Sequence, residues 1–212
     1  MKKDRPNRKK EQGAETKKKL YESAEKLFNK YDFANVSVET IAETAGVTKG
    51  TFYVHFESKD ALYISLFSDY VARLDLDYRT FLDSLPPDMP ASDTLMAFVK
   101  EIIDLMVNRI GYNNLRTVYK LQLTNKVDME TVSGYGRELY KTFGDVLKHG
   151  IQRGEFKTSL PLETLTRHCV MAIRGLTYEW CIRYPDFDLK EQTLMHFKIL
   201  LTGIMASLPE SK

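Results

Sequence analysis

Six residues within a span of eight, Thr48, Lys49, Gly50, Thr51, Tyr53 and His55, place an ammonium, three hydroxyls and an imidazole around a position without a side chain, and include no carboxylate. Such a set suits phosphate oxygens and base edges, which accept hydrogen bonds from these donors. Catalysis finds no comparable constellation. His55, His149, His168 and His196 are scattered, with no HExxH motif, no close Cys/His spacing for a metal and no nucleophile elbow. Gly134-Tyr-Gly136 lacks the third glycine and the strand of a dinucleotide fingerprint, and His168 and Cys169, adjacent on a helix, point different ways. Neither catalytic residue, metal nor cofactor is expected.

The elements that must position the donors are legible from caps. Ser37 is a good N-cap, and Glu39 places negative charge at the positive end of the helix that follows. Ile41, Ala42 and Ala45 share one face, and Gly46 supplies the permissive backbone of a sharp helix exit. Thr48 caps a second short helix whose Phe52 faces inward. Gly50 is unfavourable inside a helix, which points to close approach by another surface. Ser58 caps the next helix, and Lys59 at its start opposes the helix dipole, so an anionic partner is expected there. Two short helices around a glycine turn can also be a plain helical hairpin in a core.

The whole run resembles the DNA-binding segment of the tetracycline-repressor (TetR) family of bacterial transcription regulators. The likeness is carried by Ile41-Ala42, Ala45-Gly46-Val47-Thr48-Lys49-Gly50-Thr51-Phe52-Tyr53, His55-Phe56 and Ser58-Lys59-Asp60-Ala61-Leu62. An upstream helix from Lys19 to Tyr31, with Leu20, Ala24, Leu27 and Phe28 on one stripe, matches as well. Two positions depart from the family's pattern: Asp32 stands where glycine is usual, and Val54 where an aromatic is frequent. Asp tolerates left-handed backbone better than most residues, so the turn is expected to survive. The resemblance implies DNA contacts from Ser37, Thr48, Lys49, Tyr53, His55 and Lys59, with Gly50 and Thr51 closest to base edges.

Net charge is only +2, yet residues 1–19 hold nine Lys or Arg against Asp4, Glu11 and Glu15. With Pro6, Gly13 and almost no apolar residues, this stretch reads as a disordered basic arm over 1–15, able to lie along phosphates. A composition that is 43% hydrophobic supports a real core. No apolar run approaches the roughly 20 residues that span a bilayer, and no signal-peptide pattern is present, so the cytoplasm is expected. Cys169 and Cys181 lie twelve residues apart on one helix, about 18 Å, too far for a disulfide.

Beyond the motif the periodicity stays helical, with no strand-like alternation. Helices are expected from Lys59 to about Leu82, from Ser92 to before Gly111, over about Asn114–Thr124, over about Glu130–Arg153, from after Pro161 to about Arg183, and over Leu189–Ser207. The fold class is therefore all-α with about nine helices, the plan of the resembled family. The division is a DNA-binding domain over 16–62 and a ligand-binding and dimerisation domain over 63–212.

The last two helices are rich in apolar residues, and the resemblance favours a twofold four-helix interface over burial in the monomer. Leu165, Ala172, Leu176, Trp180, Phe197, Leu201 and Ile204 are its expected residues, with Glu163–Arg167 and Glu179–Arg183 as i, i+4 pairs. A homodimer places two recognition helices on one side of a palindromic operator.

Tyr70, Phe98, Ile102, Met106, Tyr119, Phe143, Met171 and Tyr178 give enough aromatic and Met surface to line an effector cavity, although such a stripe also serves as plain core. The family generally places a cavity among these helices and loses DNA affinity when it fills. A small apolar or aromatic effector is expected, with Arg116 or Arg174 as partners for an anionic group or simply in surface salt bridges. The expected function is a ligand-responsive dimeric repressor. An effector-independent or activating DNA-binding protein, and an enzyme using the helical cavity, are the alternatives.

Overall fold

The computed structural model describes residues 5–205, and the first four residues of the basic arm lie outside that range. Among the described residues there are no strands and nine α-helices of seven residues or more. We label them α1 (Arg5–Lys30), α2 (Val38–Thr44), α3 (Lys49–His55), α4 (Lys59–Asp83), α5 (Ala91–Leu105), α6 (Tyr112–Thr124), α7 (Glu138–Gln152), α8 (Leu162–Arg183) and α9 (Leu189–Met205). A short 3-10 turn (Phe33–Asn35) follows α1, and a π-helical turn (Met106–Ile110) extends α5.

The described part of the arm is helical rather than disordered: α1 begins at Arg5 and runs through residues 5–19. Pro6 sits in its first turn, where the missing N–H has no role, and Glu15–Lys19 and Lys18–Glu22 form i, i+4 pairs along an otherwise polar stretch. Asp32 needs no left-handed backbone, because its φ of −58° and ψ of 143° lead straight into the 3-10 turn. The segment expected as one helix over Glu130–Arg153 is interrupted at Gly134–Arg137, leaving a single turn (Glu130–Ser133) before α7. Gly134 packs onto Glu130 with no room for a Cβ, and glycines at 134 and 136 weaken the helix between.

The chain divides into two compact units. One comprises the residues up to Tyr70 with Lys120–Met129, the other Val71–Tyr119 with the residues from Glu130 onward. The division falls after Tyr70 rather than after Leu62, and α4 contributes to both units. In the first unit Leu20, Ala24, Val36, Ile41, Phe52, Phe56 and Leu62 form a small core. The early turns of α4 belong with it: Tyr63 packs edge-on to Phe28 and Phe33 at 5.1 and 4.8 Å, and the Tyr21 hydroxyl donates to Asp69. In the second unit Phe98 touches Phe143 at 4.8 Å and Tyr78 at 5.8 Å between ring centres. Cys169 and Cys181 are free and buried, and burial pushes their thiols up to about 12 and about 11.

Candidate functional site

The recognition segment is built by two side-chain caps and one glycine. The Thr40 amide donates to Ser37 Oγ at 3.0 Å, starting α2. Gly46 closes α2 with φ +70°, a left-handed conformation that an L side chain rarely adopts, while the Val47 amide donates to the Ala42 carbonyl at 2.9 Å. The Thr51 amide then donates to Thr48 Oγ1 at 3.2 Å, and the two threonine hydroxyls lie 2.9 Å apart. Phe52 is fully buried and locks α3 into the core, while Lys49, Gly50, Tyr53 and Val54 are exposed.

That outer face is open. Tyr53 is 51% exposed and Val54 78% exposed. An added Cβ on Gly50 would meet only Thr48 Oγ1, at 3.7 Å, so nothing inside the chain requires a glycine there. Thr51 and His55 flank the face, half-buried. Val54 was legible only as a departure from the family's pattern; its exposed methyls suit the thymine methyl in a major groove. Lys49 is held by Glu39 in an exposed ion pair, which draws the Glu39 carboxyl below its ordinary range and raises the lysine.

Lys59 is a correction. Its ammonium donates to the carbonyls of Phe33 and Val36 at 2.7 and 2.8 Å and lies 4.0 Å from the centre of the Phe33 ring. Partial burial lowers its pKa. The anionic partner expected from the helix dipole is replaced by two backbone oxygens, and Lys59 clasps the loop after α1 to the start of α4.

Of the eight residues expected around an effector, the seven in the second unit are divided between core and surface. Tyr70 belongs to the first unit and the other seven to the second. Phe98, Ile102 and Phe143 are buried in direct ring and side-chain packing, while Met171 and Tyr178 are exposed on the outer side of α8. A groove of about 440 Å³ between the end of α4, the start of α5 and α7 is lined by none of the eight. A second, of about 520 Å³ between α8 and α9, is lined by Met171 alone of them.

A polar cluster occupies the second unit instead. Arg137 donates from Nε and Nη2 to both oxygens of buried Asp75, at 2.7 to 3.2 Å. Arg167 lies 4.3 Å from the Tyr135 ring centre and pairs with Glu163. Arg174 lies 5.5 Å from the Tyr140 ring centre, and the Tyr119 hydroxyl donates to its carbonyl at 3.0 Å. Neither Arg116 nor Arg174 forms the surface salt bridge that was one expectation for it, among the described residues.

The expected dimer residues split in two. Leu165, Trp180, Phe197, Leu201 and Ile204 are buried inside the chain, while Ala172 and Leu176 remain half-buried. Both helices are apolar on more than one side, and the side turned inward takes these five. Met171, Ile182, Met195 and Ile199, each at least half exposed, occupy the other side.

The HTH-type transcriptional regulator AcrR of Shigella flexneri is 26% identical over 203 residues, spanning 91% of this chain and 90% of its own. The fatty acid metabolism regulator protein of Bacillus subtilis is 23% identical over 192 residues, with 87% and 93% coverage. In fold, the chain resembles Thermus thermophilus FadR, a TetR-family transcriptional repressor crystallised with lauroyl-CoA, with a TM-score of 0.69 at 19% identity, covering 92% of this chain and 98% of that one. Residues 20–66, which hold the caps, the glycine turn and the open face of α3, match the family described as bacterial regulatory proteins, tetR family.

Proposed function

We propose that the protein is a dimeric repressor that leaves a palindromic operator when a small, largely apolar or aromatic effector binds its second unit. The observation that carries this reading is the open face of α3, where Tyr53 and Val54 are exposed and Gly50 leaves the surface without a side chain. One helix of seven residues supplies few base contacts, and a twofold pair reading two half-sites remedies that. The second copy would cover the exposed apolar side of α8 and α9. Gly175, open on its surface, would permit close helix approach there.

Release then follows from linkage. An effector that binds better when the two recognition helices are misaligned weakens operator binding by the same factor. Helix α4 carries residues of both units and is the natural lever. The lauroyl-CoA bound to Thermus thermophilus FadR supports a ligand with a large apolar part. Sedimentation tests the assembly: the wild-type chain is expected to be a dimer and Ile199→Arg a monomer that keeps its helical content. A wild-type monomer that binds duplexes one chain at a time would overturn the proposal.

A further inference from the structure

Among the described residues, Tyr140 Oη on α7 and Arg167 Nε and Arg174 Nη2 on α8 are buried without a hydrogen-bond partner, and of the three residues only Arg167 has an ion pair, with Glu163. Tyr140 is 6% exposed, its Oη is shut off from solvent, and Arg174 Nη2 is equally enclosed. Buried polar groups are ordinarily satisfied, because an unmade hydrogen bond forfeits the hydration the group has lost. A pair of orphaned donors beside each other calls for an acceptor.

The charges identify that acceptor. Three guanidinium groups, of Arg137, Arg167 and Arg174, act electrostatically on the Tyr140 phenol. Arg137 is neutralised by its bidentate contact with Asp75, and Arg167 by Glu163. Arg174 has no carboxylate among the described residues, which leaves one positive charge unmatched in a partly buried place. A single surplus charge with two donors, one from an arginine and one from a phenol, matches a monoanion with two acceptor oxygens, whereas a dianion would remain half-compensated. Around it stand apolar ring faces: Tyr119 meets Tyr178 edge-on at 5.6 Å, and Tyr135 meets Tyr140 at 5.4 Å.

We propose that the effector is a hydrophobic monocarboxylate whose acid group is received by the Arg174 guanidinium and the Tyr140 hydroxyl. This rests on the ligand-responsive reading above and adds the charge and class of the ligand. Arg137, held by Asp75, positions the loop before α7 rather than binding the acid.

The test uses the full chain, with decanoate and cinnamate as probes and decanamide and cinnamamide as their neutral counterparts, each titrated by calorimetry and by thermal melting. At least one carboxylate is expected to bind at least tenfold tighter than its amide. Arg174→Met is expected to abolish that preference, Arg174→Lys to keep part of it, and Tyr140→Phe to reduce it severalfold. Circular dichroism selects the variants that fold, and the tyrosine variant suffices if the arginine variant does not. Equal affinity for acid and amide, no binding of either acid at millimolar concentration, or an undiminished preference in folded Arg174→Met overturns the proposal. Amides that bind and release DNA while acids do not would overturn this inference and leave ligand-responsive repression standing. Acids that bind through Arg174 without releasing DNA would leave the carboxylate site standing and overturn its role as the effector site.

Discussion

Replacing Gly50 by Ala separates what the fold needs from what DNA recognition needs. The new methyl group would touch only Thr48 Oγ1, at 3.7 Å, an ordinary contact. Gly50 has no left-handed backbone to protect, and it lies in the first turn of α3. Alanine in a helix is favoured over glycine by about 0.5–1 kcal/mol, so the variant is expected to be equally stable or more stable, with a melting temperature unchanged or up by about 2–4 °C. Against DNA the same methyl takes space needed by base edges. Loss of one good base contact costs about 1–3 kcal/mol, or roughly tenfold to a hundredfold per half-site. Binding to random duplex, which depends on phosphates, should stay nearly unchanged with the same salt dependence. Urea denaturation and fluorescence anisotropy on specific and random duplexes at matched salt measure both sides. A destabilised variant, or one with undiminished specific affinity, would refute the reasoning that Gly50 is kept free for a DNA surface.

Glu39→Gln removes the carboxylate that holds Lys49, and DNA affinity is expected to rise about threefold to tenfold with a steeper salt dependence, by up to about 0.9 per freed lysine in the log–log slope. Unchanged salt dependence would place Lys49 off the phosphates. Lys59→Met leaves the Val36 carbonyl without its lysine donor and is expected to destabilise the chain by about 1–3 kcal/mol while folded variant binds DNA within about threefold of wild type. A large loss of affinity in fully folded Lys59→Met would restore this lysine to the DNA face. Burial raises the pKa of the Tyr63, Tyr119 and Tyr140 phenols above their usual value of about 10. Because the unfolded chain ionises first, the stability they contribute is complete below about pH 10 and is lost as pH rises beyond it. Absorbance at 295 nm should therefore show these tyrosines ionising together with unfolding, and a simple titration of every tyrosine near pH 10 in a folded chain would contradict their burial.

The recognition segment was readable because its signals are local. Ser37, Thr48 and Ser58 each accept a hydrogen bond within three residues, Gly46 takes the positive φ that its position requires, and Phe52 turns inward as the helical period dictates. Lys59 was misread because its partners are 23 and 26 residues away, and a dipole argument sees only the helix that carries the lysine. On α8 and α9, periodicity marks apolar positions on more than one side and cannot choose which side the chain buries. Trp180 and Phe197 went inside, while Met171 and Ile199 stayed out. The aromatic residues assigned to a cavity split for a similar reason: Phe98 and Phe143 fill space against each other, and the unsatisfied donors on Tyr140 and Arg174 emerge only when α7 and α8 are side by side.

Selection of duplexes from a random DNA library by the purified chain at near-physiological salt, followed by sequencing of the bound fraction, tests whether the protein reads a defined sequence as a dimer. An enriched palindrome is expected, whose half-site centres lie about one helical turn, 10 to 10.5 base pairs, or a multiple of it apart. Retention of duplexes with no enriched sequence, or of a single half-site bound by one chain, would contradict a dimeric, sequence-specific repressor.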